Sequence, residues 1–271
     1  MDIDKNKCVG CGNCIPWCTM GVIYIGDDGR AEVNTDECVE CSNCYRMMHP
    51  EGMNPTLVRT VRKALGMVKL SYNQPIDMCP AGAFVPPKLE WPRTLRRSFS
   101  DPLAPHELTG IGGRGTEEIK TNDVTGRLGK GDVGVVIELG RPGIGARFRD
   151  FERMAMALAP LGVNFEPMNP LTALMSDKTT GKFRDDVLDE KVLSAIIEIK
   201  TTLDALPTVL ATIDGVARKL PTVLSLGVAS RCEPDGSIPH EALVRDLGYK
   251  LSYNGKTNLG LGRPLAPAHP Q

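Results

Sequence analysis

After Gly131, hydrophobic and polar positions recur with regular spacing. Asp132 to Leu139 is rich in Val and Ile and predicts a strand. Gly140 to Gly145 reads as a turn. Within Ala146 to Leu161, the residues Phe148, Phe151, Ala155, Leu158 and Ala159 share one stripe about 100° wide, with Arg149, Asp150, Glu152 and Arg153 outside it. That pattern predicts a helix ended by Gly162. Val163 to Glu166 and Leu171 to Ser176 predict strands, Asp189 to Leu220 a helix kinked at Pro207, and Thr222 to Ser230 a final strand. The order β-α-β-β-α-β corresponds to an antiparallel sheet with two helices on one face. In the long helix, Val192, Ile196, Ile199, Leu203, Leu206, Leu210, Ile213, Ala217 and Leu220 alternate spacings of four and three. That seam suits core helices lying on the sheet; a subunit interface, and hence an oligomer, is the alternative.

Earlier in the chain the pattern is less regular. Thr56 to Leu70 predicts a helix with Pro55 near its start. Leu57, Val58, Val61, Leu65 and Val68 fall on one stripe, with Arg59, Arg62, Lys63 and Lys69 on the other side. The basic face is either solvated or a docking surface for an acidic partner. Residues 86–105 contain five prolines, which predicts an extended connector without a regular helix. Trp91, Leu95, Phe99 and Leu103 recur along it, so it is expected to pack on the body of the protein or on a partner subunit. Residues 106–130 continue the connector as a Gly-rich, polar loop, and residues 257–271 form an irregular tail. Four segments follow: 1–85, a connector arm 86–130, a second domain 131–256 and the tail.

Composition narrows the function. The chain has 271 residues, with Lys plus Arg at 32 against Asp plus Glu at 33. A net charge of −1 speaks against a nucleic-acid binder, whose affinity rests on phosphate neutralisation. No run of about 18 apolar residues is present, so no membrane span is expected. The basic stretch from Arg59 to Arg97 is the first place to look for a partner.

Cysteine carries the chemistry. Nine occur, seven of them in the first 44 residues. Their spacing is Cys8-x2-Cys11-x2-Cys14-x3-Cys18, then Cys38-x2-Cys41-x2-Cys44, then Cys79-Pro80. Zinc favours two separated pairs per ion, whereas a triplet plus one distant thiolate suits a cubane iron–sulfur cluster. The segment is also an internal repeat: Lys7 to Cys14 matches Glu37 to Cys44, and Cys18-Thr19-Met20-Gly21-Val22-Ile23 matches Cys79-Pro80-Ala81-Gly82-Ala83-Phe84. Gly10, Gly12, Gly21 and Gly82 allow backbone to approach a cluster and donate N–H groups to its sulfurs. Trp17, beside Cys18, reads as core, with shielding of a cluster from water as the alternative.

This pattern resembles the bacterial-type ferredoxins with two [4Fe–4S] clusters. The resemblance covers residues 1–85 with an insertion at 45–78. It implies that Cys8, Cys11, Cys14 and Cys79 hold one cluster, and Cys18, Cys38, Cys41 and Cys44 the other. Thr19 stands where that family usually has Pro. Cys232 lies outside every motif and reads as a plain thiol, and the four histidines form no spaced metal pair.

In the second domain, Arg141-Pro142-Gly143 after a strand and Leu161-Gly162-Val163-Asn164-Phe165 after a helix resemble the ACT family of small ligand-binding domains. The resemblance places any ligand at the loop containing Arg141, Pro142 and Gly143. The fold class expected is therefore α+β, a dicluster ferredoxin domain followed by an ACT-like βαββαβ domain. The Gly-x-x-Gly-x-Gly turn at 140–145 is not a dinucleotide fingerprint, so NAD is not expected. The expected function is single-electron transfer as the relay subunit of an oxidoreductase, with a catalytic subunit or soluble redox protein as partner, in a reducing cytoplasm. Alternatives are a metabolite-responsive redox regulator and a reductase with its own site in 106–131 or the second domain. No catalytic residue is assigned. Cys79→Ala is expected to lose about half of roughly eight irons per chain, measured by iron analysis after anaerobic purification; retention of all of them would contradict the ligand set.

Overall fold

The structure is a computed structural model that describes residues 1–48, 55–70, 78–104, 126–141 and 143–251. Most of the Gly-rich loop expected at 106–131, and Pro142, lie outside the described residues.

Two short antiparallel pairs frame the N-terminal segment. Strand β1 (Asp2–Ile3) pairs with β4 (Phe84–Val85), and β2 (Ile23–Ile25) pairs with β3 (Ala31–Val33). Between them lie α1 (Asn43–Arg46) and α2 (Pro55–Met67). The apolar interior here is small: Met1, Ile23, Ala31, Met48, Met78 and Phe84 pack with Cys14 and Cys38. So little apolar surface stabilises weakly by itself, and the segment depends on other links.

Those links come from the connector. Where an extended chain was expected, a helix α3 (Thr94–Ser100) forms. It fits between Pro92 and Pro102, a proline-free interval long enough for nearly two turns. It buries Leu95 and Phe99 in the core of the second domain, as their recurrence suggested, while Leu103 stays exposed. Trp91 donates its indole N–H to Asp186 at 2.6 Å, and the Arg184 guanidinium lies 4.8 Å from its ring centre. Arg96, only 4% exposed, pairs with Glu190 and donates to the carbonyls of Asp36 at 2.6 Å and Cys38 at 2.9 Å.

The second domain runs β5 (Asp132–Leu139), β6 (Ala146–Arg147), α4 (Phe148–Leu158), β7 (Asn164–Phe165), β8 (Met175–Asp177), β9 (Lys182–Phe183), β10 (Lys191–Val192), β11 (Ala195–Thr202), α5 (Leu206–Ala217), β12 (Leu224–Ser230) and α6 (Pro239–Asp246). Its main sheet has the order β12-β5-β11-β7, antiparallel throughout. Strand alternation sends Val133, Val135, Ile137 and Leu139 into the core shared with α4 and α5. Val136 and Ile196 pack on the opposite face.

One expected element is corrected. The helix predicted over Asp189–Leu220 is two strands, β10 and β11, followed by α5, which has Pro207 in its first turn. Every residue from Ala195 to Ile199 is buried, so both faces of β11 are apolar or sealed and the period-two signal is lost. The third strand of the sheet is therefore 195–202; Leu171–Ser176 gives a 3₁₀ turn and β8, which pairs only with β9 among the described strands.

At the start of α4, Asp150 accepts the Arg147 N–H at 3.1 Å. The Gly162 stop is as expected, with φ +70°. Phe148 anchors the core. Its ring meets Phe99 edge-on at 5.4 Å and lies 5.9 Å from Phe151 and 6.5 Å from Phe183. It thus joins α3 to the second domain. Phe148→Ala should cost about 3–5 kcal/mol in urea unfolding; a cost under about 1 kcal/mol would show that this junction carries little stability.

Candidate metal centres

The strand pairs decide which cysteines meet. The strand after Cys18 is β2, and it pairs with β3, which leads into the triplet Cys38, Cys41 and Cys44. The strand after Cys79 is β4, and it pairs with β1, which leads into the triplet Cys8, Cys11 and Cys14. Each tail is thereby delivered to the triplet of the other half. Two pockets result. One, of about 330 Å³, is lined by Cys8, Cys11, Cys14 and Cys79. The other, of about 380 Å³, is lined by Cys18, Cys38, Cys41 and Cys44.

The repeat extends to the hydrogen bonds that shape each loop. Asp4 and Asn34 open the two triplet loops as Asx turns, accepting from the N–H groups of Asn6 (2.9 Å) and Asp36 (3.2 Å). Their carbonyls then receive the N–H of Cys8 and Cys38, both at 3.0 Å. In the tails, Gly21 (φ +64°) and Gly82 (φ +62°) turn the chain so that the next N–H faces sulfur. Val22 N donates to Cys18 Sγ at 3.4 Å and Ala83 N to Cys79 Sγ at 3.2 Å, while Ala31 N reaches Cys8 Sγ at 3.3 Å. Donors aimed at sulfur are what a thiolate-bound iron–sulfur cluster uses. The four-cysteine pockets therefore fit such a group.

Burial makes three of these thiols, Cys14, Cys38 and Cys44, poor acids without a cation. It pushes Cys14 up to about 11. It pushes Cys44 up to about 12, helped by Cys41, Cys38 and Cys18. Such thiols ionise when a metal takes the proton's place.

Sequence reading missed two features of the second triplet. Gly10 and Gly12 (φ +68° and +73°) correspond in the repeat to Glu40 and Ser42, which adopt the same left-handed conformation at φ +53° and +57°. For residues with a side chain this conformation costs about 1–2 kcal/mol each. The aligned repeat was the available signal, since a glycine position in one half demands the same backbone in the other. Glu40 is fully buried, and Arg93 holds it at 2.7 Å and the Met1 amine at 2.8 Å. Burial alone would raise its carboxyl; the amine and Arg93 outweigh that and hold it below the ordinary range.

The second triplet is also gripped from outside. Arg46 binds the Cys41 carbonyl at 2.8 Å and Asp101 at 2.6 Å. Arg147 reaches Asp36 and Glu37 at 2.8 and 2.6 Å, and Lys191 pairs with Glu37. The candidate ligand loop lies against this region: Arg141 is 3.5 Å from Glu138, and Gly143, at φ +64°, sits over the Thr19 carbonyl. Trp17, expected in the core, is exposed beside Cys18. Cys232 is buried just after β12, in the second domain.

Residues 1–47 match the family described as 4Fe-4S dicluster domain. No curated protein and no solved structure matches the chain. Residues 1–47 thus carry a 4Fe-4S dicluster domain, which supports iron–sulfur electron transfer, in a protein of mixed helices and strands. No helix among the described residues is long and apolar enough to cross a membrane.

Glycine substitutions separate the positions. A Cβ on Gly10 would lie 2.1 Å from the Gly29 carbonyl oxygen, so Gly10→Ala must displace backbone at the first triplet. It should lose about half of the roughly eight irons. Gly21→Ala meets open space and only the φ cost of about 1–2 kcal/mol, so it should retain both clusters. Iron and sulfide analysis of the two variants checks this, and equal losses would contradict it.

Proposed function

We propose that the chain is the electron-relay subunit of an oxidoreductase, passing single electrons through two [4Fe–4S] clusters. Cys8, Cys11, Cys14 and Cys79 would hold the first, and Cys18, Cys38, Cys41 and Cys44 the second. The observation that carries this reading is the pair of pockets, each lined by four cysteines with backbone N–H groups aimed at sulfur. A bound cluster supplies one-electron chemistry without moving atoms. With four thiolates for each cluster, no iron site is left for substrate, so this chain's part is to hold, insulate and tune.

We take the second domain to be ACT-like in fold, a reading supported by the β12-β5-β11-β7 sheet and by α4 and α5 on one core. Its turn is not built as an open effector site. The ACT family usually has an acidic residue before this turn; here it is Gly140, where a Cβ would lie 2.5 Å from the Leu193 carbonyl oxygen, so no acidic residue fits. Its visible work is to clamp the second triplet.

The partner's docking surface narrows to α2. Arg93 and Arg96, at the C-terminal end of the basic stretch, are engaged inside the protein. On α2, Leu57 and Val61 are 55% and 38% exposed at helical spacing, and Val68, in the turn just after it, is 64% exposed. The segment 55–70 holds Arg59, Arg62, Lys63 and Lys69 and no carboxylate. An amphipathic cationic helix of this kind suits an apolar groove bordered by acidic residues on a catalytic subunit.

The test is anaerobic purification from the native host. About eight irons per chain, two interacting EPR signals on dithionite reduction, and a co-purifying flavin- or molybdenum/tungsten-bearing subunit are expected. Val61→Asp should lose that subunit and keep its iron. Zinc in place of iron, or substrate turnover by the chain alone, would overturn the reading.

A further inference from the structure

The internal repeat lets each half serve as the reference for the other. The tails Cys18 to Val22 and Cys79 to Ala83 share a glycine with φ above +60° and an N–H to the tail sulfur. Of the three positions at which they differ, one places a polar group at sulfur. Thr19 places its hydroxyl oxygen 3.6 Å from Cys41 Sγ, across from the other triplet. Its counterpart Pro80 has neither a hydroxyl nor an N–H to offer.

The surroundings differ in the same sense. The first pocket is lined, besides its cysteines, by residues such as Ile3, Val9, Met78, Pro80 and Phe84, with no hydroxyl or charged side chain in that lining. The second is lined by Thr19, Ser42 and Asn43 and by the buried Glu40, whose charge the Met1 amine and Arg93 balance; guanidinium groups bind the carbonyls of two of its cysteines, Arg96 at Cys38 and Arg46 at Cys41. The second domain seats Thr19. A Cβ on Gly143 would stand 3.2 Å from the Thr19 carbonyl oxygen, and one on Gly145 would stand 2.9 Å from Met20 Cε. Gly143 thus lies close to the Thr19 carbonyl, and Gly145 close to the end of the Met20 side chain.

We propose that the Thr19 hydroxyl, seated by the glycine turn of the second domain, donates to Cys41 Sγ and makes the second cluster the one that holds the electron at equilibrium. This rests on the two-cluster reading above. Reduction adds one electron to a cluster, and much of that charge falls on the sulfurs. A donor at sulfur therefore stabilises the reduced form more than the oxidised one. The first pocket has backbone donors to Cys8 and Cys79 but no side-chain hydroxyl, and its otherwise apolar lining disfavours the added charge there. No bond forms or breaks; dithionite supplies the electron in the test.

The experiment is an EPR-monitored redox titration of the full chain, loaded anaerobically, as wild type, Thr19→Val and Thr19→Ser. Wild type should show two separate midpoints. Thr19→Val, nearly the same shape without the hydroxyl, should weaken reduction at the higher midpoint about fivefold, ~40 mV at 59 mV per decade, and leave the lower one in place. Thr19→Ser should restore it. About eight irons with a Thr19→Val profile like wild type, or a Thr19→Ser profile like Thr19→Val, overturns this inference alone. About four irons in the wild type overturns the two-cluster reading and the inference with it.

Discussion

The exchange of strands between the two halves of the N-terminal segment is the constraint on which the rest depends. Had each half closed on itself, Cys18 would face its own triplet. Because β2 pairs with β3 and β4 with β1, each tail crosses over instead. Two four-cysteine pockets then share one framework, and neither forms unless both halves fold. The 34 residues between Cys44 and Cys79 do not disturb this, since Met48 and Met78 at the two ends of the insertion are both buried in the same small core. An insertion whose ends stay pinned lengthens the loop at little entropic cost.

The framework is lopsided in its supports. The first triplet meets β1, the 29–31 turn and the Cys79 tail, and its Val9 stands 70% exposed. The second is held by α3, by Arg147 and Lys191 of the second domain and by the buried Glu40. Arg96 links three parts of the chain at once, pairing with Glu190 while binding carbonyls of the second loop. A buried guanidinium with charged and carbonyl partners keeps its geometry, because losing any partner leaves a desolvated charge behind. The connector is thus a clamp between the iron–sulfur segment and the second domain. The second site is thus the more heavily braced of the two.

The grouping of the cysteines in the candidate site was legible in the sequence because their spacing repeats between the two halves. The two triplets, the two tails and the four glycines could be read without any packing information. What stayed hidden depends on tertiary context. Glu40 and Ser42 carry left-handed backbone without glycine, and the buried ion pairs of Glu40 help hold it there. The strand at 195–202 read as helix because burial on both faces erases alternation, and its spacings of three and four then match a helix by accident. In the connector, proline density suggested extended chain, yet a proline-free stretch of nine residues between Pro92 and Pro102 was enough for α3 once Leu95 and Phe99 had a core to enter. By contrast Asp132–Leu139 was read to the residue, since its Val- and Ile-rich run is bounded by glycines on both sides.

The crossed arrangement is most directly tested by iron-edge anomalous diffraction from crystals of the anaerobically purified protein. Two compact groups of iron are expected, one bonded to Cys8, Cys11, Cys14 and Cys79 and the other to Cys38, Cys41, Cys44 and Cys18. A single group, or a group in which Cys18 shares iron with Cys8, Cys11 and Cys14, would contradict it.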